Sequence, residues 1–127
     1  MRRSHLAPGF LLVLQLALGC HGSPPPRPTA GPAADVPLTI VNHNWQDITI
    51  LIVHDGVTER IGLAVSASKT DFILPWRYFA SHGTVYLIAD PVGDPNRYYS
   101  DSLLVQAGQQ IVWTLETDLY RSSIGVY

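Results

Sequence analysis

Cysteine is almost missing from this chain of 127 residues: Cys20 stands alone. That excludes an intrachain disulfide, a cysteine-rich zinc site and the bridged framework of many small secreted domains. Lysine is as scarce, with only Lys69, and no stretch gathers basic residues. With a formal net charge of −2, the chain lacks the electrostatic footprint of a nucleic-acid binder, and no nucleic-acid partner is expected. No apolar run reaches the roughly 20 residues that cross a bilayer. Catalytic motifs are absent too: there is no G-x-S-x-G, no H-x-H and no H-E-x-x-H.

What is present begins with the amino end. Arg2 and Arg3 precede an apolar run from Leu6 to Gly19, interrupted by Pro8 and Gln15. A charged start, a short greasy segment and small residues at its end describe a secretory signal, expected over residues 1–19. The run stops at "LALGC", and there Leu16, Ala17, Leu18, Gly19 and Cys20 resemble the lipobox of bacterial lipoproteins. The resemblance implies cleavage before Cys20, lipid on its sulfur and an acylated new amino terminus. Each buried acyl methylene stabilises attachment by about 0.8 kcal/mol, and two or more chains make it lasting. His21 stands where the family's inner-membrane retention signal is an aspartate, so the resemblance implies an outer-membrane address.

Losing Arg2 and Arg3 with the signal would leave six of the eight basic residues against ten acidic ones, a formal −4. From Cys20 to Ala34 the chain reads "CHGSPPPRPTAGPAA", with five of its ten prolines. This composition cannot bury a core and predicts an extended tether. At about 3.1 Å per residue it would hold the following domain up to roughly 40 Å from the bilayer.

Residues 35–127 read as one all-β domain. "PLTIVNHN" predicts a first strand and "DITILIVHDG" a central second one, apolar on both faces. Asp55-Gly56 predicts a hairpin turn into "TERIGLAVS", and "KTDFILP" a shorter fourth strand. "PWRYFASHG" predicts one short helical turn or two, with Pro75 at the first helical position and Gly83 as the C-terminal cap. "TVYLIAD" and "SLLVQAG" predict strands around the long loop "PVGDPNRYYSD". In "QQIVWTLETD", Ile111, Trp113 and Leu115 should face inward and Val112, Thr114 and Glu116 outward. "SSIGVY" predicts a last edge strand. Seven or eight short strands with these turns predict a small antiparallel β-sandwich, immunoglobulin-like or transthyretin-like, with a closed barrel as the alternative.

Chemistry is thin along this domain. His43, His54 and Asp47 would serve a metal or an enzyme only by converging in one cleft. Asp90, Asp94, Asn96 and Asp101 lack the spacing of a calcium loop. The reading is therefore no enzyme, no cofactor and no metal. Aromatics are the richer signal: Trp76, Arg77, Tyr78 and Phe79 lie in the helical turn, and Arg97, Tyr98 and Tyr99 in the long loop. Should the two segments meet, they form a binding surface of the residue types enriched in hot spots. Trp76 and Phe79 could instead plug the end of the sandwich, and Trp45 is expected to cap the first hairpin. The function expected is a membrane-anchored envelope lipoprotein, a structural or protein-interaction module paired at a sheet edge or through these loops. The alternative is glycan or small-ligand binding by exposed rings. In plan alone, a lipobox before a transthyretin-like sandwich, the chain is similar to the lipoprotein of type VI secretion machines.

Overall fold

A computed structural model of the chain describes residues 33–127. The expected signal, Cys20 and the tether as far as residue 32 lie outside the described residues. Eight strands alternate through the domain: β1 Val36–Asn42, β2 Ile48–His54, β3 Val57–Ala64, β4 Ser68–Leu74, β5 Tyr86–Pro91, β6 Tyr98–Tyr99, β7 Ile111–Leu115 and β8 Ser123–Val126. They form two four-stranded sheets, β4-β1-β7-β8 and β3-β2-β5-β6. Every pairing is antiparallel except β1 with β7, which run parallel from Leu38 opposite Ile111 to Asn42 opposite Leu115. The molecule is a small β-sandwich. An immunoglobulin constant domain would instead place its first, second, fifth and fourth strands in one sheet.

Period-two patterning selects which side chains meet between the sheets. Leu38 and Ile40 of β1, Ile48, Ile50 and Ile52 of β2, and Ile111, Trp113 and Leu115 of β7 are all fully buried. The inward triplet expected on β7 is therefore in place. β2 is central, flanked by β3 and β5, and its outward Leu51 and Val53 are half-buried and buried. On that outer face Val53 stands opposite Tyr86 and Ile88 opposite Tyr99. Burial of this kind stabilises by about 25 cal/mol per Å² of apolar surface, set against the chain entropy that folding removes.

The turns follow their residues. Asp55 and Gly56 both adopt positive φ, +49° and +75°, the conformation a two-residue hairpin needs to match strand twist. Gly62 of β3 serves a different end. A Cβ there would lie 2.5 Å from the ring of Phe72 on β4, so its absence lets the two sheets close along that side. The helical turn is a single 3-10 turn, Trp76–Tyr78, and a second one, Leu119–Arg121, was not legible in the sequence.

Three expectations change. β4 has seven residues, as long as β1 and β2. Tyr98 and Tyr99 pair with Ala89 and Ile88, so part of the expected loop is a strand. "SLLVQAG" forms no strand. At Ser100 the exchange with Leu87 is half main chain: Ser100 N donates to Leu87 O at 2.9 Å, while Leu87 N donates to the Ser100 hydroxyl, not to a carbonyl. Beyond it Leu103 N donates to Val85 O at 2.7 Å, and regular pairing is not resumed.

The sandwich has two distinct ends. The start of β1, the end of β4 and the start of β7 share one with the β2–β3 hairpin. The other collects the β1–β2 loop, the β5–β6 loop and the segment between β7 and β8. At about 3.3 Å per residue, a seven-residue strand separates them by roughly 20 Å. The described chain enters the sandwich at the first of them.

Candidate functional site

The loop end is built around two asparagines. Asn42 and Asn44, with 1% and 3% of their surface exposed, are the buried polar residues of the described chain. Asn42 Nδ2 donates to the carbonyls of Gln46, Ala64 and Val65 at 3.0–3.2 Å, and its Oδ1 accepts from Asn44 N at 2.9 Å. Asn44 continues the chain of contacts. Its Oδ1 accepts from Gln46 N at 3.0 Å, and its Nδ2 donates to the carbonyls of Glu116 and Thr117. Asp47 fixes the far side, with Oδ1 accepting from Ser66 N and its carbonyl accepting from Val92 N. A loop with every buried polar group satisfied in this way is held in one shape.

Between these asparagines' loop and its neighbours sits a cleft of about 360 Å³. On this rigid loop Trp45 is 74% exposed, and Tyr120, from the second 3-10 turn, is 82% exposed. Tyr98 forms the inner wall. Its ring packs 6.2 Å from the buried Trp113 and meets Tyr120 edge-on, at 5.9 Å and 84°. Among the described residues the indole N–H of Trp113 has no hydrogen-bond partner. Polar groups complete the rim. Asp118 Oδ1 accepts from Tyr120 N, Asp94 Oδ1 accepts from both nitrogens of Asn96, and Arg97 pairs with Asp90 at 2.9 Å. The Asp90–Asn96 stretch is thus tied up in turn contacts and one ion pair. Among the described residues no three His, Cys, Asp or Glu side chains are grouped to hold a metal ion.

Trp45 therefore does not cap a first hairpin: β1 and β2 lie in different sheets and do not pair. Asn42 and Asn44 hold the β1–β2 loop from within, leaving the indole outside. The six candidate residues of the sequence are divided between places. Arg97 and Tyr98 line the cleft. Tyr99 points from β6 to the outer face, its ring 6.2 Å from that of Tyr86. Trp76, Arg77 and Tyr78 lie at the opposite end, since Trp76 follows β4 and its N–H donates to Asp35. The two aromatic segments do not meet. Trp76 and Phe79 pack half-buried against the core there, with ring centroids 6.3 Å apart.

That opposite end carries its own polar cluster. Tyr78, 7% exposed, donates its hydroxyl to Glu59 Oε2 at 2.6 Å and stacks on His54 at 4.3 Å. His54 Nε2 lies 3.1 Å from Glu59 Oε1, and the Arg77 guanidinium sits 5.0 Å over the Tyr78 ring. The hydrogen bond from Tyr78, helped by His54, holds the Glu59 carboxyl below the usual glutamate value. In return the bond to Glu59, with burial, raises the Tyr78 hydroxyl above the usual tyrosine value. His43 is on the other end of the sandwich, 3.2 Å from Glu116. His43 and His54 thus do not converge, because β2 carries the chain from one end to the other between them.

No protein-family model matches the chain, and no curated protein does. A protein from Eubacterium rectale, with a structure solved by NMR, is similar at 11% identity and a TM-score of 0.42, over 73% of this chain and 86% of that one.

Proposed function

We propose that this chain is a lipid-anchored envelope protein whose sandwich binds another envelope component through the loop end that carries Trp45 and Tyr120. One observation supports this above the rest. The described chain enters the sandwich at the start of β1, and the cleft lies at the opposite end. A domain tethered through Cys20 would therefore present Trp45, Tyr98 and Tyr120 away from the membrane. Trp45 stands exposed on a rigid loop and Tyr120 touches Tyr98 by an edge while most of its surface stays open; Trp and Tyr are among the residues that anchor binding interfaces.

Pairing at a sheet edge is the weaker route. β6 has two residues and β8 four, β4 offers Lys69 and Asp71 along its exposed side, and β3 is broken by a bulge where Ile61 falls between Gly62 and Arg60. Short, charged or bulged edges are the ones that resist strand addition. A fatty-acid label with a clickable tail, fed to cells, tests the anchor: the wild-type chain takes the label and stays with membranes, whereas Cys20→Ser loses both. Label on Cys20→Ser, or none on the wild type, would overturn the anchored reading.

A further inference from the structure

We propose that the cleft between the β1–β2 loop, the β5–β6 loop and the second 3-10 turn binds a neutral glycan, one or two pyranose rings at a time. This rests on the reading that the loop end is the contact surface, and it names the class of ligand.

The rings come first. Tyr120 and Tyr98 meet at 84°, so they make two walls at a right angle, and Trp45 lines the same cleft 74% exposed. The face of an aromatic ring is electron-rich, while the C–H face of a pyranose carries slight positive charge, so the two stack flat. Hydroxyl groups around the sugar's edge then need partners in the ring plane, and the cleft has them. Asp118 and Asp94 each use Oδ1 on a main-chain amide, at 3.2 and 2.8 Å, which fixes the carboxylate; neither Oδ2 accepts a hydrogen bond from the described residues. Fixed acceptors of this kind suit hydroxyl donors at no cost in ordering.

Charge narrows the class. Arg97 is neutralised by Asp90 at 2.9 Å, leaving Asp94 and Asp118 as the rim's net charge. A phosphate or carboxylate on the ligand would meet repulsion, so a neutral sugar fits better than an acidic one. The size agrees, since 360 Å³ lies at the lower end for small-ligand sites. Nothing in this arrangement breaks a bond; it holds and releases.

The test uses the full chain in detergent micelles with three neutral probes: tetrasaccharides of β-1,4-linked N-acetylglucosamine, β-1,4-linked glucose and α-1,4-linked glucose. Calorimetry and saturation-transfer NMR are run on the wild type, on Trp45→Ala and Tyr120→Ala, and on Tyr99→Ala as an exposed tyrosine outside the cleft. At least one probe should bind, with affinity falling at least about tenfold in Trp45→Ala and Tyr120→Ala and holding in Tyr99→Ala. Two outcomes overturn the proposal: none of the three binds at millimolar concentration, or binding survives both cleft variants. A basic peptide binding where the sugars fail would do so as well. Losing the glycan in this way leaves the contact surface itself standing if envelope crosslinks still depend on Trp45.

Discussion

Two neighbours on one loop do opposite jobs. Asn42 serves the fold and Trp45 does not. Asn42→Ala removes the side-chain donor to the carbonyls of Gln46, Ala64 and Val65 and the acceptor of Asn44 N, and should cost about 2–4 kcal/mol in urea unfolding. Asn42→Asp should cost more, since a carboxylate would then face those same carbonyls. Trp45→Ala should change stability by no more than about 0.5 kcal/mol, because the indole is exposed. Glu59 links the entry end to pH. Its lowered folded value means that the stability it contributes is present above the ordinary glutamate value and lost as pH falls through the folded one. Tyr78→Phe removes the largest cause of that lowering, so the Glu59 titration followed by NMR should move up, and the acid-side loss of stability should shrink. The alkaline counterpart has the opposite sense. Tyr78's raised value gives stability present below the ordinary tyrosine value and lost as pH rises through the folded one.

Among the elements, β3 and β4 close one side of the sandwich, and Gly62 decides how tightly. Gly62→Ala drives a methyl into the Phe72 ring and should cost about 1–3 kcal/mol, part of which Phe72→Leu should restore in a double-mutant cycle of unfolding free energies. Gly56→Ala should cost about 1 kcal/mol at the hairpin, where φ is +75°. These same elements indicate what a sequence can disclose. The alternation of Ile111, Trp113 and Leu115 and the Asp55-Gly56 turn are local signals, and both led to the right strands. "SLLVQAG" has the composition of a strand, yet a single main-chain bond, Leu103 N to Val85 O, holds it beside its neighbour, a shortfall invisible without the partner. The cleft was hidden for a related reason. Tyr98 and Arg97 stood out by type, but Trp45 and Tyr120 gain meaning only because the β1–β2 loop and the second 3-10 turn converge. "NHNW" carried the available hint: two asparagines two residues apart at a strand end, beside a tryptophan with nothing to bury it.

The whole molecule has a polarity from end to end. β1 starts at one end of an eight-stranded sandwich, and Trp45 and Tyr120 lie exposed at the other, so an anchor and a contact surface can be kept apart by the length of the strands. Trp76 and Phe79 pack half-buried near the point of entry, whereas Trp45 and Tyr120 would make the proposed contact at the far side. Contact between the far end and the partner is checked by placing a photo-crosslinking amino acid at position 45, at 120, and at the exposed Ile73 of β4 (66% exposed) in the full chain within intact cells. A discrete adduct is expected from 45 and 120 and none from 73. An adduct from 73 alone, or equal adducts from all three, would contradict it.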